Sequence, residues 1–98
     1  MSQGPLRVAV AGLGFGAEFL PIYRAHPDAE CVAICQRTQA KLDEVGDAHE
    51  IAARYTDFDA MLRDDSIEAV HINTPIPAHA EQTLAALEAG KHVACTVP

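Results

Sequence analysis

Gly12, Gly14 and Ala17 fall at the spacing G-x-G-x-x-A, directly after the apolar run Leu6-Arg7-Val8-Ala9-Val10-Ala11. At a strand-to-helix turn each small residue has its own task. Gly12 permits the tight turn, Gly14 lets an anionic group approach the backbone, and Ala17 lets the helix pack closely on the strand. The amides around Phe15, Gly16 and Ala17 are then free of helical partners, and the helix dipole favours negative charge beside them. The chemistry this suits is the binding of a pyrophosphate. Three glycines can also form a plain turn, so the pattern counts only in context. That context is present: a strand before, a helix after, and a second strand ending a βαβ length further on.

The next informative position lies at the end of that second strand. A dinucleotide-binding βαβ unit carries Asp or Glu about 20 residues beyond the glycines, where it accepts the ribose hydroxyls of NAD. Here the position is Gln36, followed by Arg37 and Thr38. Without a carboxylate nothing repels a 2′-phosphate, and a guanidinium offers that phosphate a bidentate partner. The expected cofactor is NADP in preference to NAD. The alternative is that Arg37 points to solvent and Gln36 holds the ribose hydroxyls of NAD.

The elements that must hold these residues alternate between short apolar runs and helical patterns, which is the signature of βαβ units. The strands are expected at Leu6–Ala11, Cys31–Cys35, Arg54–Tyr55, Ala69–Ile72 and His92–Cys95. A helix over Phe15–Ala25 contains Pro21, which removes one N–H and predicts a bend or loosened turn. Thr38 is placed to cap a helix over Gln39–Ala48, with Leu42 and Val45 on one face. Asp57 is placed to cap Phe58–Arg63. In the last helix, Ala78–Ala89, the positions Ala80, Leu84 and Leu87 read as the core face. Glu81, Gln82 and Glu88 are turned away, and Gly90 ends the helix. The expected fold is α/β: a Rossmann-type doubly wound parallel sheet with strand order 3-2-1-4-5 and right-handed crossovers. The fifth strand forms a sheet edge, which favours self-association.

With 98 residues the chain can build one core and not two. It is 49% apolar and 21% charged, as ordinary globular domains are. Its 7 basic and 14 acidic side chains give a net charge of −7, which argues against nucleic acid or an anionic membrane as partner. No apolar run is long enough to span a bilayer, and Met1–Pro5 does not open a signal peptide. Cys31, Cys35 and Cys95 are odd in number and lack a C-x-x-C spacing. They are expected to be reduced packing residues in a cytoplasmic protein.

The second half of the chain carries a more specific pattern. Asn73-Thr74-Pro75-Ile76-Pro77-Ala78-His79 follows the fourth strand, and Ala89-Gly90-Lys91-His92-Val93-Ala94-Cys95 leads into the fifth. With the glycine loop, these segments resemble the Gfo/Idh/MocA family, the glucose–fructose oxidoreductases, inositol dehydrogenases and their relatives. The resemblance runs from Leu6 to Pro98. It implies a cofactor domain over residues 1–98, a larger substrate domain beyond it, and an open sheet there that mediates dimers or tetramers. It further implies a nicotinamide dinucleotide and a sugar, polyol or related carbonyl substrate. Position by position it assigns Gly12, Gly14 and Phe15, with Gly16, to the pyrophosphate loop, and Asn73, Thr74 and Pro75 to the turn beside the nicotinamide ribose. His79 matches the family's His at the start of the next helix. A plain local helix-start role is the alternative for that residue.

Two departures stand out. Ile76 replaces the Asn of the family's Thr-Pro-Asn. Thr96-Val97-Pro98 replaces Glu-Lys-Pro, whose Lys lies near nicotinamide and substrate and assists proton transfer. Val97 can neither donate, accept nor carry charge. The resemblance also places the family's substrate-binding and acid–base residues beyond Pro98, so the 98-residue chain alone is not expected to transfer hydride. Three readings stay open: the cofactor domain of an oxidoreductase, a cofactor-binding scaffold or regulator without turnover, and a Rossmann domain for another nucleotide. No metal site is expected, because His26, His49, His71, His79 and His92 are scattered, and His92 and Cys95 should face opposite sides of a strand. Asp43, Glu44, Asp47 and Glu50 read as a solvated helix face.

Overall fold

The computed structural model describes residues 4–95. The departure at Thr96-Val97-Pro98 lies outside the described residues. Five strands form one parallel sheet: β1 (Leu6–Ala11), β2 (Ala29–Cys35), β3 (Ala53–Tyr55), β4 (Ala69–Ile72) and β5 (His92–Cys95), in the order β3-β2-β1-β4-β5. The expected topology is thus the observed one. It follows from connections too long for hairpins, each carrying a helix that returns the chain to start another parallel strand of the sheet.

Alternation along β1 divides the core into two layers. Val10 faces Leu13, Leu20, Ile34, Leu42, Val45 and Ile51. Its neighbours Ala9 and Ala11 face the other side, with Met61, Ile67, Val70, Ile72 and Ala86. On β1 every described residue from Val8 to Ala11 is buried, as a central parallel strand covered on both faces requires. A bulge in β2 sets Val8 opposite Cys31 but Ala9 opposite Ala33. Cys31 and Ile34, three apart, therefore reach the same face.

The first helical segment departs from expectation. Helix α1 (Leu13–Gly16) begins two residues earlier than the expected start at Phe15. It passes through a 3-10 turn (Ala17–Phe19) into α2 (Leu20–Ala25). The tightening precedes Pro21: the Leu20 amide donates to the Ala17 carbonyl, the group Pro21 has no N–H to reach. Helix α3 (Gln39–His49) starts after Thr38, whose side chain makes no capping bond. Helix α4 (Phe58–Leu62) is capped by Asp57, which accepts from the Asp59 amide.

Helix α5 (His79–Glu88) corrects the expected core face. Leu84 and Leu87 are 58% and 55% exposed, and Ala80 is exposed as well. The side turned to the sheet carries Ala86, fully buried, and the half-buried Gln82 and Thr83. Small side chains let α5 lie close over β4 and β5, and the leucines overhang the sheet's outer edge. Gly90, at φ 82°, ends the segment in the left-handed region as expected. The acidic face of α3 is likewise more than solvated surface. Asp43 and Asp47 clamp Arg54 at 3.2 and 2.9 Å, and its side chain lies across Gly46. Glu50 pairs with Arg24. No described helix is long and apolar enough to cross a membrane.

Candidate functional site

The carboxyl ends of β1, β2 and β4 meet where the strand order reverses, the place at which open α/β sheets form their ligand crevice. Gly12 turns the chain out of β1 at φ 87°. A Cβ there would stand 2.6 Å from the Asn73 carbonyl and the Thr74 amide, so only glycine lets the two loops touch. Above Gly14 a Cβ would meet nothing within 4 Å. That open backbone is the cradle a pyrophosphate needs. The close helix–strand packing expected of Ala17 falls to Gly16, where a Cβ would lie 3.0 Å from Val10 and 3.1 Å from Asn73. Ala17 is half-buried in the same layer.

The earlier helix start also moves the available amides. Gly16 donates to the Gly12 carbonyl and is not free. The Leu13 amide donates to Gln36 Oε1 at 2.8 Å. Gly14 and Phe15 then supply the first-turn amides that a helix start leaves without intrahelical partners. Gln36 therefore joins the end of β2 to the glycine loop with its carbonyl oxygen and leaves its NH2 as a donor. Arg37 beside it is exposed, and no described residue engages its guanidinium.

The opposite wall is the turn after β4. Asn73 donates its amide to the Ala11 carbonyl at 2.7 Å, which locks this turn to β1. Thr74 Oγ1 donates to Gln82 Oε1, and His79 Nε2 bonds the Thr74 carbonyl. Pro75 is exposed at the mouth. The structure thus brings Gly12, Gly16 and Asn73 into direct contact and ties His79 to Thr74. Gln36 reaches the loop through Leu13, while Arg37 stands apart at the rim.

Three participants were missed. Gln82, expected to face away, braces Thr74. Cys95, expected to pack, is exposed and lies 3.3 Å from His79 Nδ1. His71 hydrogen-bonds Tyr23 at 2.9 Å and meets the Phe19 ring edge-on, with centroids 4.7 Å apart. Burial holds the His71 imidazole below its usual value and pushes the Tyr23 phenol up. No sequence signal marked these contacts, since each joins residues on different elements. A separate cleft of about 490 Å³, between Tyr23, Arg24, Cys31 and Glu50, opens at the amino ends of the strands, away from the switch point. Among the described residues no group of His, Cys, Asp and Glu could hold a metal ion.

The family model of the oxidoreductases with an NAD-binding Rossmann fold, Gfo/Idh/MocA, matches residues 6–98. The chain belongs to this family. Among its relatives is the D-glucoside 3-dehydrogenase of Escherichia coli, 35% identical over all of this chain and 28% of that protein. The solved scyllo-inositol dehydrogenase of Lactobacillus casei, with NAD(H) and scyllo-inositol bound, is 29% identical with a TM-score of 0.83. That match covers 93% of this chain and 27% of that one. A 3-ketoreductase of Actinomadura kijaniata, in complex with TDP-benzene and NADP, is 32% identical with a TM-score of 0.87, covering 96% of this chain and 30% of that one. The chain spans between 22% and 30% of the length of the curated relatives it matches. It is accordingly a nicotinamide dinucleotide-binding Rossmann domain of the Gfo/Idh/MocA oxidoreductases.

Proposed function

We propose that this domain prefers NADP and serves an oxidoreductase acting on a sugar, polyol or related carbonyl compound. The observation that carries the preference is at the end of β2. An amide, Gln36, stands where a carboxylate would accept ribose hydroxyls, and its oxygen is already engaged by the Leu13 amide. The remaining NH2 and the neighbouring exposed guanidinium of Arg37 are donors only. Donors without a carboxylate suit a 2′-phosphate, and only the second lone pair of Gln36 Oε1 is left to accept from a 2′-hydroxyl.

In this reading Gly12, Gly14, Phe15 and Gly16 form the pyrophosphate loop. Gln36 and Arg37 face the adenosine ribose, and Asn73, Thr74 and Pro75 the nicotinamide ribose. His79 holds the Thr74 carbonyl and so fixes that turn. Hydride transfer is the chemistry such a cofactor supplies. The chain's own residues bind and orient it, and the substrate class rests on the sugars and polyols named for its relatives. A second reading, cofactor binding without turnover, rests on Val97 in place of the family's Lys.

Calorimetric titration with both cofactors tests the proposal. NADP should bind more tightly than NAD. Arg37→Ala should weaken NADP by about tenfold or more, as expected for loss of a charge-assisted bond of ~1.5–3 kcal/mol, and leave NAD nearly unchanged. Tighter binding of NAD by the wild-type chain would overturn it.

A further inference from the structure

We propose that Gln82, in the first turn of α5, is a positioning residue for the nicotinamide half of the cofactor and acts through Thr74. This rests on the reading that the nicotinamide ribose lies against Asn73, Thr74 and Pro75. It adds what holds that turn in the shape the ribose meets.

The turn has few amides with which to hold itself, because Pro75 and Pro77 carry no N–H. The Ala78 amide donates to the Pro75 carbonyl at 2.9 Å, and the Asn73 amide to the Ala11 carbonyl at 2.7 Å. Thr74 lies between these two ties, and side chains of α5 hold it. His79 Nε2 bonds the Thr74 carbonyl, and a carbonyl only accepts, so the imidazole N–H donates. The Thr74 hydroxyl donates to Gln82 Oε1. His79 and Gln82 stand three residues apart and so share one face of the helix. The same helix thus fixes Thr74 at its carbonyl and at its side chain.

Thr74, His79 and Gln82 are each half-buried, so water competes less for these bonds. The helix is itself anchored on the sheet through the fully buried Ala86. A ribose that meets a turn already ordered leaves binding no ordering to do. Without Gln82 the Thr74 side chain regains rotamers that binding must fix again. The effect is confined to one half of the cofactor. Gln82 acts beside β4, whereas Gln36 and Arg37 follow β2, on the other side of β1.

The test is calorimetric titration of the wild-type chain, Gln82→Met, Thr74→Val and the double variant. The ligands are NADPH and 2′,5′-ADP, its adenosine half. Each substitution roughly keeps size and removes one partner of the bond. Gln82→Met should weaken NADPH by about fivefold, the factor for one ordinary hydrogen bond, and leave 2′,5′-ADP within about twofold. The double variant should lose no more than the weaker of the two single variants, because both remove the same bond. Gln82→Ala gives the same comparison should the methionine variant not fold, since alanine favours helix. If the wild-type chain prefers NAD, NADH and ADP take the place of the two ligands, so the cofactor preference does not decide this outcome. Equal weakening of both ligands overturns the proposal, as do unchanged NADPH affinity and additive losses in the double variant. Nicotinamide emission of NADPH that does not change on binding to the wild-type chain overturns the placement of the nicotinamide ribose itself, and the proposal with it.

Discussion

At the scale of single residues, two glycines of one motif have opposite sensitivities. A side chain at Gly12 would meet the backbone of Asn73 and Thr74 at 2.6 Å and force a non-glycine residue to φ 87°. Gly12→Ala should therefore cost roughly 2 kcal/mol or more of folding stability. Gly14→Ala meets open space and should leave stability within about 1 kcal/mol, while cofactor affinity falls. Urea denaturation and cofactor titration of both variants separate the two effects. Wild-type affinity in Gly14→Ala would mean that no pyrophosphate lies over that residue. His71 adds a pH dependence. Burial holds its folded value below the ordinary 6.5. Below about pH 6.5 the unfolded chain takes up a proton that the folded chain declines, so this contribution is intact above that pH and is lost as pH falls through the folded value. His71→Gln should flatten the decline in urea midpoint between about pH 7 and 5. The change should stay under about 1 kcal/mol, because the ring is only half-buried and partly screened. Asp64, held below 3.8 by Ser66 and then Tyr55, acts in the same direction at more acidic pH.

At the scale of elements, the strands were the most legible part. β4 and β5 were read to the residue, and β2 and β3 were lengthened by two residues and one at their amino ends. Short β-branched runs closed by glycine or by a helix cap carry this information locally. The face of α5 did not. Its apolar residues Ala80, Leu84 and Leu87 have helical spacing, but so do His79, Gln82, Thr83 and Ala86. Periodicity shows that a stripe exists and does not say which stripe meets the sheet. Close approach to β4 and β5 selects the smaller one. Leu84→Lys should accordingly change stability by no more than about 0.5 kcal/mol. Ala86→Leu, at a fully buried contact, should cost about 1–3 kcal/mol by overpacking. Thermal melts of the two variants check the assignment, and the reverse ranking would restore the leucines to the core.

At the scale of the whole molecule, one buried lysine joins distant segments. Lys91 is 8% exposed, and its ammonium donates to the carbonyls of Asp64 at 2.8 Å and Ile67 at 2.7 Å. These bonds tie the turn between α5 and β5 to the loop between α4 and β4. Lys91→Met keeps the aliphatic stem, strands the Ile67 carbonyl and leaves the Asp64 carbonyl only the Ile67 amide, so it should destabilise the fold by about 1–3 kcal/mol. Chemical denaturation would measure this. An unchanged midpoint would mean that water satisfies the carbonyls instead. The same variant should leave cofactor affinity unchanged, because the tie lies at the amino end of β4 and β5, opposite the crevice.

Strand order, the glycine turn and the neutral amide after β2 were determined by the sequence alone. Backbone sterics, helix caps and the handedness of crossovers act between near neighbours in the chain, so residue types record them directly. Tertiary structure alone decided that Gly16 packs against Val10 and Asn73, that Gln36 holds the Leu13 amide, and that Cys95 meets His79. Each of those contacts depends on how separate elements stack through space. Local pattern leaves that stacking open, and only the packing of two core layers on one sheet resolves it.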